Sequence, residues 1–393
     1  MAQVIRPRTF LLIGLLALGA AGLAWSQSRR PIIHSVDVQV PSAPIPVSIA
    51  GKRHLAYEIH VTNFRPSEIT LIRVEISDAV RGSRLGEFRD AELGRLLGRL
   101  GASSDTADRR VIGPGMRAVA YMWLALDDAV ATPARLRHKI EFDIVRASRR
   151  ERVTVDAGES EVRRDQPPVL SPPLRGGPWV ALYDPTMDGG HRRTIYAVNG
   201  KARIPARFAI DWVRLENDGS CARGDKSQIA NWHGYGAEVL AVADGVVAEA
   251  NDDIAESTSL SGGSRTPIPL ENVSGNFICL DLGGGRYAFY EHLKRGSVRV
   301  KAGDRVRSGQ VIGLLGNSGG SSSGPHLHFH VGDAQSELAG EGVPYVFRSF
   351  EVVGAFESIG AFASGERWKP APSGADVLRK GELPAANTVV NFR

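Results

Sequence analysis

The run Gly324-Pro325-His326-Leu327-His328-Phe329-His330 restricts what this chain can build more than any other segment. Its polar and apolar residues alternate with a period of two, the repeat of a β-strand, whose successive side chains point to opposite faces. His326, His328 and His330 then share one face, and Leu327 and Phe329 share the other. Three of the chain's 10 histidines fall in this one short run. An imidazole face laid over an apolar one suits metal binding or acid–base chemistry. The plainer alternative is a solvated polar face on an edge strand.

The start of the chain reads as an export signal. Arg6 and Arg8 form a basic region, residues 10–25 an apolar run rich in Leu, Ala and Gly, and Ala24-Trp25-Ser26 a small-x-small cleavage site. The run is shorter than the ~20 residues of a spanning helix, so a membrane contact is expected only if the segment stays uncleaved. The expected location is the periplasm or cell envelope. Cys221 and Cys279 are the two cysteines, and a disulfide and two separate thiols both stay open. The net charge of +5 favours an anionic partner such as cell wall or membrane surface. The basic residues are diffuse, with no aromatic-interleaved stripe, so no nucleic acid is expected as a partner.

A length of 393 residues suggests about two domains behind the signal. Residues 1–26 are assigned to the signal peptide and 27–165 to an immunoglobulin-like β domain. There Leu55, Tyr57, Ile59 and Val61 alternate with His54, Glu58 and His60, the pattern of a half-buried strand. Thr70, Ile72, Val74 and Ile76 form a second such face. Ala118, Ala120, Met122, Leu124 and Leu126 form a third, and Leu136, Ile140, Phe142 and Ile144 a fourth. Short strands between turn-rich segments suggest a sandwich. One short helix is expected around residues 90–100. Five prolines mark residues 166–178 as a semi-rigid linker. A second β domain spans 179–360, with hairpin signals at Asp244-Gly245 and Gly283-Gly284-Gly285, and 361–393 read as a tail. The fold class is all-β.

In the second domain the candidates for chemistry are Asp211, His292, His326 and His328. An acid between Ile210 and Trp212 needs a partner if buried, though alone it reads equally as a turn or capping aspartate. His292 alone reads as a packing histidine. Together with Phe208-Ala209-Ile210-Asp211, the stretch 236–245, Tyr290-Glu291-His292-Leu293, Gly303-Asp304-Arg305-Val306 and the stretch 313–329, they resemble the zinc peptidoglycan endopeptidases of the LytM and lysostaphin type. The resemblance covers nearly a third of the chain. It implies a LytM-like antiparallel β peptidase domain, Zn2+ as cofactor and peptidoglycan as substrate. It also implies that Asp211 and His328 are metal ligands, that His326 is the general base or acid, and that His292 stabilises the oxyanion.

One position departs from the family pattern. Where the family has a ligand histidine four residues before the aspartate, this chain has Arg207, which offers a metal no lone pair. Either a nonlocal ligand substitutes, with His191, His233 and Cys221 as candidates, or the site binds metal weakly and cleaves poorly. Arg207 itself is expected to face the groove and bind substrate, pairing with Asp211 or with a carboxylate of the wall peptide. The alternative function is a catalytically degenerate wall-binding or amidase-activating module, which would have cell-wall amidases as partners. Gly316-Asn317-Ser318-Gly319-Gly320 also fits the Gly-x-Ser-x-Gly pattern of serine hydrolases, but Ser321-Ser322-Ser323-Gly324-Pro325 follows it and will not open the helix that motif needs.

Overall fold

The apolar side of the histidine strand decides where it sits. Leu327 and Phe329 are fully buried, and Phe329 packs edge-on to Tyr290 and Tyr345 with ring centroids 5.2 Å away in each case. This computed structural model describes residues 35–99, 108–260, 268–320, 324–374 and 377–393; the segment read as an export signal lies outside them. The strand Leu327–Gly332 is interior, flanked antiparallel by Arg286–Leu293 and Ile210–Arg214, so the edge-strand alternative does not hold.

The sheet around it has 11 strands. One flank continues through Asn276–Gly283 and Gly245–Asn251 to Arg305–Val306, the other through Gly176–Leu182, Thr388–Phe392 and Phe350–Ala355. The hairpin at Gly283-Gly284-Gly285 forms, all three glycines taking left-handed φ. The one at Asp244-Gly245 does not. Glu238–Leu240 pairs with Val311–Leu314 in a separate ladder while Gly245–Asn251 joins the large sheet, so these residues cross between layers.

Residues 361–393 are not a tail. Thr388–Phe392 inserts between two strands of the large sheet and buries Val389 and Val390. Five residues carry too little periodicity to reveal a strand whose partners lie far upstream. Nor is 166–178 a free spacer. Val169–Leu170 pairs with Val346–Phe347, and Leu170 and Leu174 are buried in the main core.

Upstream, two five-stranded sheets enclose a second core. Lys52–Asn63 pairs with Arg117–Leu126 in one, and Ile69–Asp78 with Arg135–Arg146 in the other. Three of the four expected faces point inward as read. In Ile69–Asp78 the register slips between Leu71 and Arg73, so Ile69, Leu71, Val74 and Ile76 are buried while Thr70 and Ile72 are only half-buried. The helix forms over Asp90–Leu96.

The polar face of Lys52–Asn63 is buried too. Glu58 and His60 are 2% and 5% exposed because the second half packs onto this sheet, with Trp123 against Phe208 (5.8 Å between centroids) and Tyr183 (6.2 Å). Residues 35–393 accordingly form one compact unit. Among the described residues, no helix is long and apolar enough to cross a membrane.

The upstream core holds one titratable group with a readable consequence. His138 lies 2.9 Å from the Tyr57 hydroxyl through Nε2 and 2.7 Å from the Gly158 carbonyl through Nδ1. A carbonyl only accepts, so Nδ1 carries the proton and Nε2 accepts from Tyr57. Burial pushes this imidazole down from 6.5 to about 4. The unfolded chain protonates first, so the native state keeps this contribution above pH 6.5 and loses it as pH falls toward about 4. The full loss is about 3 kcal/mol. Denaturant unfolding of the wild type and of His138→Gln at pH near 7 and near 4.5 should show a smaller pH-induced loss in the variant.

Candidate active site

The register of three strands builds the site. Asp211 lies directly across from His328, and Glu291 lies across from His328 on the other side. Directly opposed residues share a face. Asp211 Oδ1 accepts from His328 Nδ1 at 2.9 Å, and His326 Nε2 approaches the same oxygen at 3.6 Å. The His292 ring lies 4.8 Å from that of His326 and 6.0 Å from that of His328. The four candidates Asp211, His292, His326 and His328 thus converge.

A fifth group joins them from the loop candidates. His191, in the short turn His191–Arg193, donates from Nε2 to Asp211 Oδ2 at 2.9 Å, its ring 4.5 Å from that of His328. The ligand-type atoms of His191, Asp211 and His328 lie within 4.8 Å of one another. His233 instead faces Glu216 at 3.8 Å, and the free, buried thiol of Cys221 lies in the groove wall outside this group.

Arg207 has other partners than those expected. It is buried, with Nε and Nη2 on the Glu58 carboxylate (2.9–3.2 Å), Nη2 also on Glu341 Oε2 (2.7 Å), and Nη1 on the Gly342 carbonyl (2.9 Å). It pairs with acids, but neither with Asp211 nor with a carboxylate from outside. Arg207 does line the groove and does pair with acids, as expected, but its guanidinium is taken up by Glu58 and Glu341, so the substrate contact assigned to it is corrected to an internal ion pair.

Backbone carbonyls fix two tautomers. His326 Nδ1 donates to Gly324 O at 2.7 Å and His292 Nδ1 to Ser318 O at 2.9 Å, so each neutral ring presents Nε2 as its lone-pair nitrogen. His292 sits in the left-handed region at φ 64°, strain that costs of order ~1–3 kcal/mol and turns its ring toward His326. Gly324 is required ahead of the strand. Its φ is +111°, and a Cβ there would come within 2.2 Å of the Trp232 ring.

The charge pattern sets an anionic carboxylate beside two imidazoles, His328 and His292, held toward their neutral forms. Burial pushes the Asp211 carboxyl up, but His191 and His326, with hydrogen bonds from His191 and His328, reverse this and hold it well below the usual carboxylate range. Burial lowers His328 to about 4 and His292 well below its ordinary value. His191 is raised, because Asp211 outweighs its burial. Once a metal displaces the protons that His191 Nε2 and His328 Nδ1 donate to Asp211, two imidazole nitrogens and an ionised carboxylate oxygen make the donor set of a catalytic zinc that keeps a position open. His191 and Asp211, with side chains 37% and 21% exposed, line a groove of about 580 Å³ walled by Trp123, Tyr183, Trp232 and Phe362.

Behind His328 lies a closed layer. His330 Nδ1 is 3.1 Å from His328 Nε2 and 3.5 Å from Glu291 Oε1, and its ring stacks on Phe289. Burial, then Glu337 and Asp211, push the Glu291 carboxyl well above its ordinary range. Glu291, His328 and His330 make a second group of metal-ligand type, all buried, whereas the first group reaches the groove through His191 and Asp211. Ser318 is fully buried, donating to Leu293 O (2.7 Å) and accepting from Asn276 N (2.9 Å), which leaves its hydroxyl a structural tie rather than a nucleophile.

Comparison with known proteins gives the same region. Residues 229–339 match the sequence model of Peptidase family M23; the matched span includes His292, His326 and His328 and begins after Asp211. The glycyl-glycine endopeptidase ALE-1 of Staphylococcus capitis is 36% identical over 94 residues, 24% of this chain and 21% of that protein. Endolysin 2638A of Staphylococcus phage 2638A is 34% identical over 94 residues, 24% of this chain and 16% of that protein. The chain thus spans about a fifth or less of the length of these curated relatives. The catalytic domain of lysostaphin from Staphylococcus simulans, 21% identical, covers 43% of this chain and 88% of its own, with a TM-score of 0.23.

Proposed function

This chain carries a domain of Peptidase family M23, and on that premise we propose that it is an exported zinc endopeptidase that cuts the peptide cross-links of peptidoglycan in the periplasm or cell envelope. The observation that carries the reading is the Asp211 carboxylate, held at 2.9 Å by both His191 and His328 at the wall of an open groove. His191, Asp211 and His328 would hold the zinc, which when bound supplies a Lewis acid and water activated near neutral pH. His326, its Nδ1 proton committed to Gly324 O, takes the proton at Nε2 and returns it to the leaving amine. His292 is likewise a neutral acceptor at Nε2, so it becomes an oxyanion donor only after gaining a proton. The aromatic walls of the groove provide apolar surface for the peptide.

The degenerate-module alternative drew its force from the missing ligand at position 207. With His191 as third donor in this reading, that reason falls away. The test is zinc content of the purified chain together with release of soluble peptides from peptidoglycan. One zinc per chain and chelator-sensitive release are expected. Zinc without release would favour the wall-binding or amidase-activating module, and neither zinc nor release would end the peptidase reading.

A further inference from the structure

We propose that the upstream β unit is a working part of the zinc site: through Glu58 it fixes the loop that carries His191, and so sets the affinity for the metal. The inference rests on the reading of His191 as a ligand.

Of the three residues in the turn His191–Arg193, two are anchored in the upstream unit. Arg192 is buried there, its Nη2 donating to Met122 O (2.5 Å), Tyr57 O (3.2 Å) and Glu58 Oε1 (3.4 Å), with its guanidinium 5.1 Å from the Trp123 ring centroid. Arg193 lies over Tyr121 at 5.1 Å and donates to the Arg95 carbonyl and, at 2.6 Å, to Asp188. Asp188, in the same loop, also accepts from Arg109 of the upstream unit at 2.8 Å. His191 alone turns the other way, to Asp211.

Glu58 is the keystone because it serves two cations at once. Its carboxylate takes Arg192 of the ligand loop and Arg207, which precedes the Asp211 strand. Arg192 Nε and Nη1 are buried without a hydrogen-bond partner among the described residues, so this cation leans on Glu58 for compensation. One carboxylate therefore ties the loop that presents one ligand to the segment that leads into another. A partly exposed histidine on a loop keeps its ligating geometry only when the chain on either side is held. A residue hydrogen-bonded directly to a ligand is typically worth about 10–100-fold in metal affinity, and Glu58, which acts through Arg192 and Arg207, is expected toward the lower end of that range.

Zinc affinity of the full chain, measured by chelator competition, tests this in wild type, His191→Ala, Glu58→Gln and the double variant. His191→Ala should weaken zinc by at least about 100-fold and Glu58→Gln toward the lower end of about 10–100-fold. The double variant should be no weaker than His191→Ala, since a positioning residue has nothing left to position; a merely destabilising change would weaken both backgrounds alike. Wild-type affinity in Glu58→Gln, or additive losses in the double variant, overturns the positioning role and leaves His191 a ligand. Unchanged affinity in His191→Ala overturns the ligand reading and this inference together. If Glu58→Gln does not fold, Asp188→Asn on the exposed rim of the loop carries the test. A several-fold loss that vanishes in the His191→Ala background supports the proposal, and an unchanged affinity or an additive loss overturns it.

Discussion

If Asp211 is the proposed ligand, Asp211→Ala should abolish zinc binding while leaving the chain folded. The carboxylate is the one anionic donor of the set, and it lies between two imidazoles whose rings are only 4.5 Å apart. Without it, the cation loses both a ligand and the charge that offsets its own, and His191 and His328 lose their common acceptor. The expected loss exceeds the ~100-fold typical of removing a supporting residue, since a ligand itself is gone. Asp211→Asn should fall almost as far, because the amide keeps the shape but not the charge. Elemental analysis and chelator competition read the metal, and circular dichroism checks the fold. Wild-type zinc stoichiometry in a folded Asp211→Ala protein would move the metal elsewhere, the buried Glu291, His328 and His330 group being the next candidate.

The complementary expectation concerns turnover. His326→Ala should retain zinc but slow peptide release by about 10²–10⁴-fold, the range of a general acid–base group. Its ring is held by the Gly324 carbonyl, and its Nε2 lies near Asp211 Oδ1 at 3.6 Å, longer than the 2.9 Å at which His191 and His328 contact that carboxylate. The diagnostic quantity is rate per bound zinc. A His326→Ala protein that loses zinc yet keeps that rate would exchange the roles of His326 and His328.

What could be read from the sequence divides along a physical line. The histidine strand was legible because a two-residue period over an apolar floor is written locally, and its pairing with Asp211 follows once both lie on neighbouring strands of one sheet. The glycine hairpin was legible for the same reason. His191 could be named only as one loop residue among three, because a loop has no periodicity and its approach to Asp211 is set by contacts with the upstream unit. Arg207 lies at the groove as its position suggests, but its partner was not legible, for the converse reason. A charged residue in the position of a ligand points to a groove, and the partner that takes it up there, Glu58, sits on what alternation marks as a solvent face. The strand Thr388–Phe392 was missed because a short β-branched run gains its meaning from partners far upstream.

The burial of Glu58 also governs where this protein can be divided. The proline-rich stretch invites a cut that would release the histidine-bearing half as a minimal enzyme. That fragment would carry two guanidiniums, Arg192 and Arg207, into water or into each other with their shared counter-charge left behind on the discarded piece. The trimmed product would lose more than a spacer, because part of its electrostatic balance and the seat of one proposed ligand loop belong to the other half.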